Sequence, residues 1–427
     1  MQQYDIVIIG GGINGAGITL LLSLANKKVI NLEKNDFSSQ TSGASTKLLH
    51  GGLRYLQTYD FGLVYEGLIE RSRILHIGTK RANPKVIKLI IPIYKNSLVP
   101  LWMITLGTFI YDILSFLGLP SSKKEFPFSG FLKKESVSNI IKTEDLKGLR
   151  YYYDAQVDDS RLVIDELLTA QHYGAKINNY SQVENIQYIK EENEFEVTYL
   201  DKNGQKQKIR TKKVVNTAGP WVKDVDHRAG IDSKIGLDYV AGSHIVIKQQ
   251  LSKDGFFIMT KDGRNIFVLP WKNNCTLIGT TEERVLEQNI FQDNIPQGGR
   301  LSEKWRDYLI DNFNEYFQRK ITKEDIIDTF WGIRVLVKKR GISANKTSRK
   351  EKVIEHYPGF VSVYGGKLTT HLAIARKIFK KLFKKEKLPK VPKLINDNNI
   401  INDEEYFKVK EQAKTPEDIK RRLGWLL

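Results

Sequence analysis

The stretch that most constrains this chain is YDIVIIGGGINGAGI, Tyr4 to Ile18. Tyr4–Ile9 is a short apolar run rich in β-branched residues, and it predicts a parallel strand buried on both faces. It runs straight into Gly10, Gly12 and Gly15, spaced G-x-G-x-x-G, and then into the helical pattern GAGITLLLSLA. A second strand over Lys28–Leu32 ends on Glu33. Each position suits a dinucleotide. Gly10 permits the tight turn, and Gly12 lets the backbone approach a pyrophosphate. Ile13 and Asn14 sit at the helix start, and Gly15 lets the helix pack close to the strand. Glu33 can accept from the ribose hydroxyls of an adenosine. The fingerprint alone fits NAD and FAD equally.

Beyond Glu33 lies DFSSQTSGASTK, Asp36 to Lys47, a hydroxyl-rich stretch with no helical or strand period. Such a segment suits the wall of an extended cofactor, with Thr41, Ser42, Ser45, Thr46 and Lys47 as its contacts. HGGLRYL follows, placing His50, Arg54 and Tyr55 around the glycines Gly51 and Gly52.

The net charge of +18 favours an anionic partner: a membrane surface, a nucleic acid or a phosphorylated substrate. No nucleic-acid-binding motif accompanies the basicity, so that class is not expected. A single cysteine, Cys275, rules out an intrachain disulfide and fits a reducing compartment. The seven histidines show no ligand spacing, so no metal is expected. The N-terminus has no basic lead and is not expected to act as a signal peptide. Leu101–Leu119 approaches the length of a membrane span, but Asp112 and two glycines interrupt it. It is expected to form a buried or membrane-facing amphipathic helix, with no transmembrane helix.

Further motifs recur in order over residues 4 to 376. They are DDSRL (Asp158–Leu162), VVNTAGPWVKDV (Val214–Val225) and GSHIV (Gly242–Val246), then FVLPW (Phe267–Trp271) and IGTTE (Ile278–Glu282). WGIRVL (Trp331–Leu336) and YGGKLTT (Tyr364–Thr370) complete the set. With GGLRYL, this series resembles the FAD-dependent, quinone-linked glycerol-3-phosphate dehydrogenases.

The resemblance implies noncovalent FAD, with Ala218, Gly219, Trp221, Gly366, Leu368 and Thr369 joining the cofactor residues above, and Gly51 passing close to the flavin. It implies sn-glycerol 3-phosphate as substrate, oxidised at C2 to dihydroxyacetone phosphate. Arg54, Arg334 and Lys367 would hold the phosphate, with Tyr55 and Thr281 as hydrogen-bonding groups. Among the catalytic candidates His50, Arg54, Arg334 and Lys367, the ordinary pKa of His50 best suits a general base. The implied setting is cytoplasmic, on the inner face of a membrane holding quinone, and a homodimer is compatible with it.

Two departures stand out. Val335 replaces a proline after Arg334, which would leave the arginine on a less rigid loop. Only about fifty residues follow GGKLTT, where the family carries about a hundred. The alternatives are a related FAD oxidase using oxygen or an amino-acid-type substrate, and a non-catalytic flavoprotein subunit.

The expected architecture is α/β. A discontinuous, Rossmann-like FAD domain is expected at 1–75, 145–230 and 325–390. A substrate domain with an antiparallel sheet is expected at 76–144 and 231–324, and a reduced helical segment at 391–427. Thr415 and Pro416 predict the start of a last helix. Trp425, Leu426 and Leu427 are expected to help in membrane docking, and the lysine-rich Arg376–Lys393 to end a helix in solvent.

Overall fold

The computed structural model describes residues 1–118, 125–287, 290, 302–338, 350–395, 407–408 and 411–423. Its helices are α1 (Ile13–Leu24), α2 (Phe61–Ile77), α3 (Leu101–Gly118), α4 (Asp159–His172), α5 (Val222–Arg228), α6 (Glu303–Tyr316), α7 (His371–Leu382) and α8 (Pro416–Leu423).

A six-stranded sheet runs in the order Lys352–Tyr357, Phe360–Tyr364, Val214–Asn216, Ile6–Ile9, Val29–Leu32, Lys176–Asn178. All its pairings are parallel except the first. Ile6–Ile9 lies inside this sheet and is buried throughout, as its unbroken apolar run requires. Four neighbouring strands therefore end on one edge, at Gly10, Glu33, Thr217 and Gly365. In open parallel sheets, ligands bind outside the carboxyl ends of the strands. Helices α1, α4 and α7 pack against one another beside this sheet. A buried pair, His371 Nε2 to Glu166 Oε1 at 2.6 Å, joins α7 to α4. The predicted strand Tyr4–Ile9 is in fact divided. Gln2–Tyr4 leaves to pair with Lys206–Thr211 in a separate four-stranded sheet.

The second large sheet has ten strands and is mainly antiparallel. Its membership corrects the expected domain boundaries. Leu146–Gln156, assigned from sequence to the FAD segment 145–230, pairs with Lys85–Tyr94 in this sheet. Ile326–Val337, assigned to 325–390, pairs along its length with Leu237–Lys248. Leu48–Leu49, from the 1–75 segment, also joins it. A β-rich run looks alike in either sheet, and only distant partners decide where it pairs.

The C-terminal segment is bound into the nucleotide domain by charge. Glu411, buried, receives both terminal nitrogens of buried Arg161 at 2.7 and 2.9 Å. On α8, Arg422 and Arg421 both bind the buried carboxylate of Asp36, Arg421 at 3.0 Å. Asp36 directly precedes Phe37, whose ring lies against Gly11 of the glycine turn, so the segment braces that turn from behind. Thr415 caps α8 through Asp418 N at 3.2 Å, as its sequence predicts. Trp425, Leu426 and Leu427 lie outside the described residues.

Removing one partner of a buried ion pair costs about 3–5 kcal/mol, because the other charge stays buried alone. Glu411→Ala is accordingly expected to destabilise the protein by that order, read from its denaturation midpoint. A surface control such as Lys206→Ala should leave the midpoint within about 0.5 kcal/mol.

Candidate active site

A cavity of about 1330 Å³ opens at the carboxyl edge of the six-stranded sheet and continues to the face of the ten-stranded sheet. It exceeds the ~300–1,000 Å³ of a drug-sized ligand site and suits a dinucleotide plus a small substrate. At its nucleotide end lie Gly10, Gly12, Ile13 and Asn14. Gly10 has φ +109°, and a Cβ there would meet the Thr217 carbonyl at 2.6 Å. Gly15 does not line the cavity. A Cβ on it would fall 1.9 Å from the Gly10 carbonyl oxygen, so its part is close packing of α1, as its spacing predicts. The N-cap of α1, Gly12, has no side chain to cap it and the first turn holds no acid, so apart from Ile13 N its positive end is open to an anion. These features fit a bound pyrophosphate.

Glu33 lines the same end and accepts from Gly11 N at 2.6 Å and Asn35 N at 2.8 Å. Burial pushes its carboxyl above the usual range. Thr41, Ser42, Ser45 and Thr46 line the next section, with Ser42 Oγ accepting from Ile13 N at 2.9 Å. Ala218, Gly219 and Trp221 line one side, and Gly366, Leu368 and Thr369 line the approach to α7.

Lys47 departs from expectation. It is fully buried and absent from the cavity wall. Its Nζ donates to Asp159 Oδ1 at 2.5 Å and to the Gly43 carbonyl at 2.6 Å. It also lies 4.8 Å from the Phe330 ring centroid. A buried ammonium takes the nearest acid, and Asp159 meets it behind the loop. Gly51 is also displaced from its expected role. Its Cα side faces Leu68 and Tyr111 of α2 and α3, while Gly52, at φ +84°, lines the cavity. Thr281 is buried and accepts from Ser243 N at 2.9 Å, whereas its neighbours Thr280 and Glu282 reach the cavity.

His50, Arg54, Tyr55, Arg334 and Lys367 all line the cavity. The backbone beside His50 is pinned at two points. His50 N donates to Thr369 Oγ1 at 3.1 Å, and Gly51 N donates to Tyr111 Oη at 2.8 Å. Lys367 Nζ sits 4.0 Å over the Tyr55 ring. Arg334 is on a strand, not the loop expected from Val335, so ladder pairing with Val240 holds its backbone. Its Nη2 donates to Thr280 Oγ1 at 3.1 Å and to the Thr281 carbonyl at 3.2 Å. A Cβ on Gly242 would fall 2.0 Å from that nitrogen, so glycine there makes room for the guanidinium.

His244 was missed by sequence reasoning, although GSHIV had been singled out. It lines the cavity, stacks on Phe330 at 4.8 Å, and places Nε2 3.0 Å from Thr46 Oγ1. Burial, then the charges of Arg334 and Lys47, hold its pKa well below the usual histidine value. It is a neutral imidazole behind a cavity hydroxyl. The available signal was a titratable residue leading straight into the apolar β-branched run Ile245–Ile247.

The sequence profile described as FAD dependent oxidoreductase matches residues 5–380. The chain belongs to that family. FAD is its cofactor, and the cavity fits it. An aerobic glycerol-3-phosphate dehydrogenase of Staphylococcus aureus (strain MRSA252) is 37% identical over 384 residues, 88% of this chain and 66% of that protein. The chain thus spans slightly under two thirds of the curated relatives it matches. The FAD-bound glycerol-3-phosphate dehydrogenase of Bacillus halodurans superposes with TM-score 0.68 at 24% identity, over 90% of this chain and 66% of that one. L-α-glycerophosphate oxidase from Mycoplasma pneumoniae gives 0.69 at 19%, over 93% and 99%. Glycine oxidase from Geobacillus kaustophilus gives 0.65 at 18%, over 93% and 100%. These structures share the fold.

Lys47→Met leaves Asp159 buried without its cation and is expected to cost about 3–5 kcal/mol. Adding Asp159→Asn, which removes the charge and keeps an acceptor for Ser45 N, should recover part of the loss, as followed by chemical denaturation.

Proposed function

We propose that this chain oxidises the C2 hydroxyl of sn-glycerol 3-phosphate to dihydroxyacetone phosphate and passes the electrons to quinone at the inner face of a membrane. One observation carries the reading. The cavity that begins at a dinucleotide turn is also lined by Arg54, Arg334 and Lys367. Guanidinium groups bind a phosphate bidentately, and a lysine adds a point charge, so this lining suits a phosphorylated alcohol. The S. aureus relative supports the substrate.

FAD, when bound, supplies the two-electron acceptor. The chain's residues do the rest. Gly10, Gly12 and the α1 terminus take the pyrophosphate, and Glu33 the adenosine ribose. Arg334, fixed by Thr280 and the Thr281 carbonyl, orients the substrate phosphate together with Arg54 and Lys367. His50, on backbone held by Thr369 and Tyr111, takes the hydroxyl proton.

A second reading keeps the substrate and makes oxygen the acceptor. The fold likeness to glycerophosphate oxidase over 93% of this chain favours it. Hydrogen peroxide formed in stoichiometric amount would select it over quinone.

Anaerobic glycerol 3-phosphate should bleach the flavin absorbance of the holoprotein. A yellow protein that it leaves unbleached would overturn the proposal. His50→Ala should retain FAD and lose roughly 10²–10⁴ in turnover. Normal turnover in that variant would remove His50 as the base. Arg334→Ala should lower kcat/KM by about 10–150-fold, matching ~1.5–3 kcal/mol for a charged hydrogen bond.

A further inference from the structure

The peptide between His50 and Gly51 is gripped by three elements from distant parts of the chain. Thr369, beside the start of α7, accepts from His50 N at 3.1 Å. Tyr111 Oη, from α3, accepts from Gly51 N at 2.8 Å. Gly67, from α2, presses on the same backbone. A Cβ on Gly67 would fall 2.9 Å from Gly51 Cα and 3.3 Å from the His50 carbonyl oxygen. Glycine at 67 therefore lets α2 lie against the peptide, and alanine would push it.

Tyr111 is itself held. Its hydroxyl donates to Asp154 Oδ1 at 2.7 Å, and Arg71 Nη1 donates to the same oxygen at 2.7 Å. All three side chains are buried. Arg71 also donates to the Tyr153 carbonyl at 2.8 Å and to Ser115 Oγ at 2.8 Å, which ties α2 to α3 and to the strand Leu146–Gln156. A tyrosine hydroxyl has one proton to give. Asp154 takes it, so the oxygen is left to accept from Gly51 N. The donors thus run in one direction, from Gly51 N through Tyr111 to the carboxylate.

The grip answers a local weakness. His50 follows the two-residue strand Leu48–Leu49, whose pairing with Ala155 and Gln156 ends there. It precedes two glycines, the second of them left-handed at φ +84°. Glycine backbone is conformationally permissive, so neither neighbour in the chain would keep the His50 ring in one place. We propose that Tyr111 and Gly67 are positioning residues for the oxidation step. They act through the His50–Gly51 peptide to aim the His50 ring at the substrate hydroxyl, and Asp154 and Arg71 fix Tyr111 for that purpose. The inference rests on the proposed role of His50 as base. Tyr111 and Gly67 stand behind the cavity wall, apart from the Arg54, Arg334 and Lys367 that line it. Their loss is therefore expected to fall on the rate of the chemical step and to spare substrate affinity.

The test is anaerobic stopped-flow bleaching of the FAD-loaded protein over a range of glycerol 3-phosphate concentrations. It separates the limiting rate of flavin reduction from the half-saturating concentration. Tyr111→Phe keeps the ring, with its edge contact to Tyr152 at 5.7 Å, and removes only the hydroxyl. It should retain FAD, slow the limiting rate about 10–100-fold and leave the half-saturating concentration within about twofold. Gly67→Ala should show the same split. Tyr94→Phe is the control: it deletes a bond to the Lys142 carbonyl at 2.8 Å, away from the cavity, and should leave both quantities unchanged. A wild-type limiting rate in Tyr111→Phe would overturn the proposal, and so would an equal slowing in Tyr94→Phe. Weakened substrate affinity at an unchanged limiting rate would overturn it too. Wild type that glycerol 3-phosphate does not bleach would refute the enzymatic reading itself, and the inference with it.

Discussion

The buried pair between Lys47 and Asp159 joins three parts of the molecule that would otherwise meet only at their surfaces. Lys47 leaves the cofactor loop, Asp159 opens α4, and the lysine ammonium lies over Phe330 of the ten-stranded sheet. Asp159 Oδ2 also accepts Ser45 N at 3.0 Å and Ser45 Oγ at 2.6 Å. One carboxylate therefore fixes the loop's conformation as well as its charge. Lys272 Nζ, from the turn joining strands Asn265–Trp271 and Cys275–Gly279 of the ten-stranded sheet, reaches Asp158 at 2.5 Å, one residue away. The start of α4 is thus the point where both sheets are registered against each other. The hydroxyls of Ser45 and Thr46 take their positions from it. Buried charge is costly unless paired and hydrogen-bonded, and both partners here are.

Local chemistry was legible in the sequence and distant pairing was not. Gly10 to Gly15 could be read because each glycine answers a constraint within a few residues. Glu33 could be read because the strand before it fixes its distance from the turn. Lys47 was misread because its partner lies 112 residues away, and nothing near Thr46 discloses it. Thr281 was misread for a smaller reason. Neighbouring residues at a strand end face opposite ways, and choosing between Thr280 and Thr281 needs the position of Arg334. The sheet boundaries failed in the same manner, since Leu146–Gln156 and Ile326–Val337 are placed by partners far along the chain.

The two arginines proposed to hold the phosphate are positioned by different devices. Arg54 follows Gly52, whose left-handed backbone turns the chain into the cavity wall. Arg334 is held by a long antiparallel ladder, with Gly242 opposite to leave space for its head. A proline after Arg334 would remove a backbone donor. Val335 keeps its N–H and pairs with Tyr239 in the ladder. The substitution therefore changes how the arginine is stiffened, from a fixed dihedral to strand pairing.

Burial sets the state of His244, and two nearby cations add to it. Enclosure disfavours a charged imidazole there first, and the charges of Arg334 and Lys47 disfavour it further. The ring is neutral, with Nε2 on Thr46 Oγ1 and Nδ1 buried without a hydrogen-bond partner. Because its folded pKa is depressed below the unfolded value, the unfolded chain binds more protons once pH falls below about 6.5. Folding stability from this residue is therefore full above that pH and declines as the solution is acidified. His50 is pinned through its backbone to Thr369 and is only half-buried. Two histidines thus share one cavity in different environments. The half-buried one, His50, is the base of the proposed reaction. The enclosed one is kept uncharged first by burial and then by Arg334 and Lys47, with its Nε2 on the Thr46 hydroxyl.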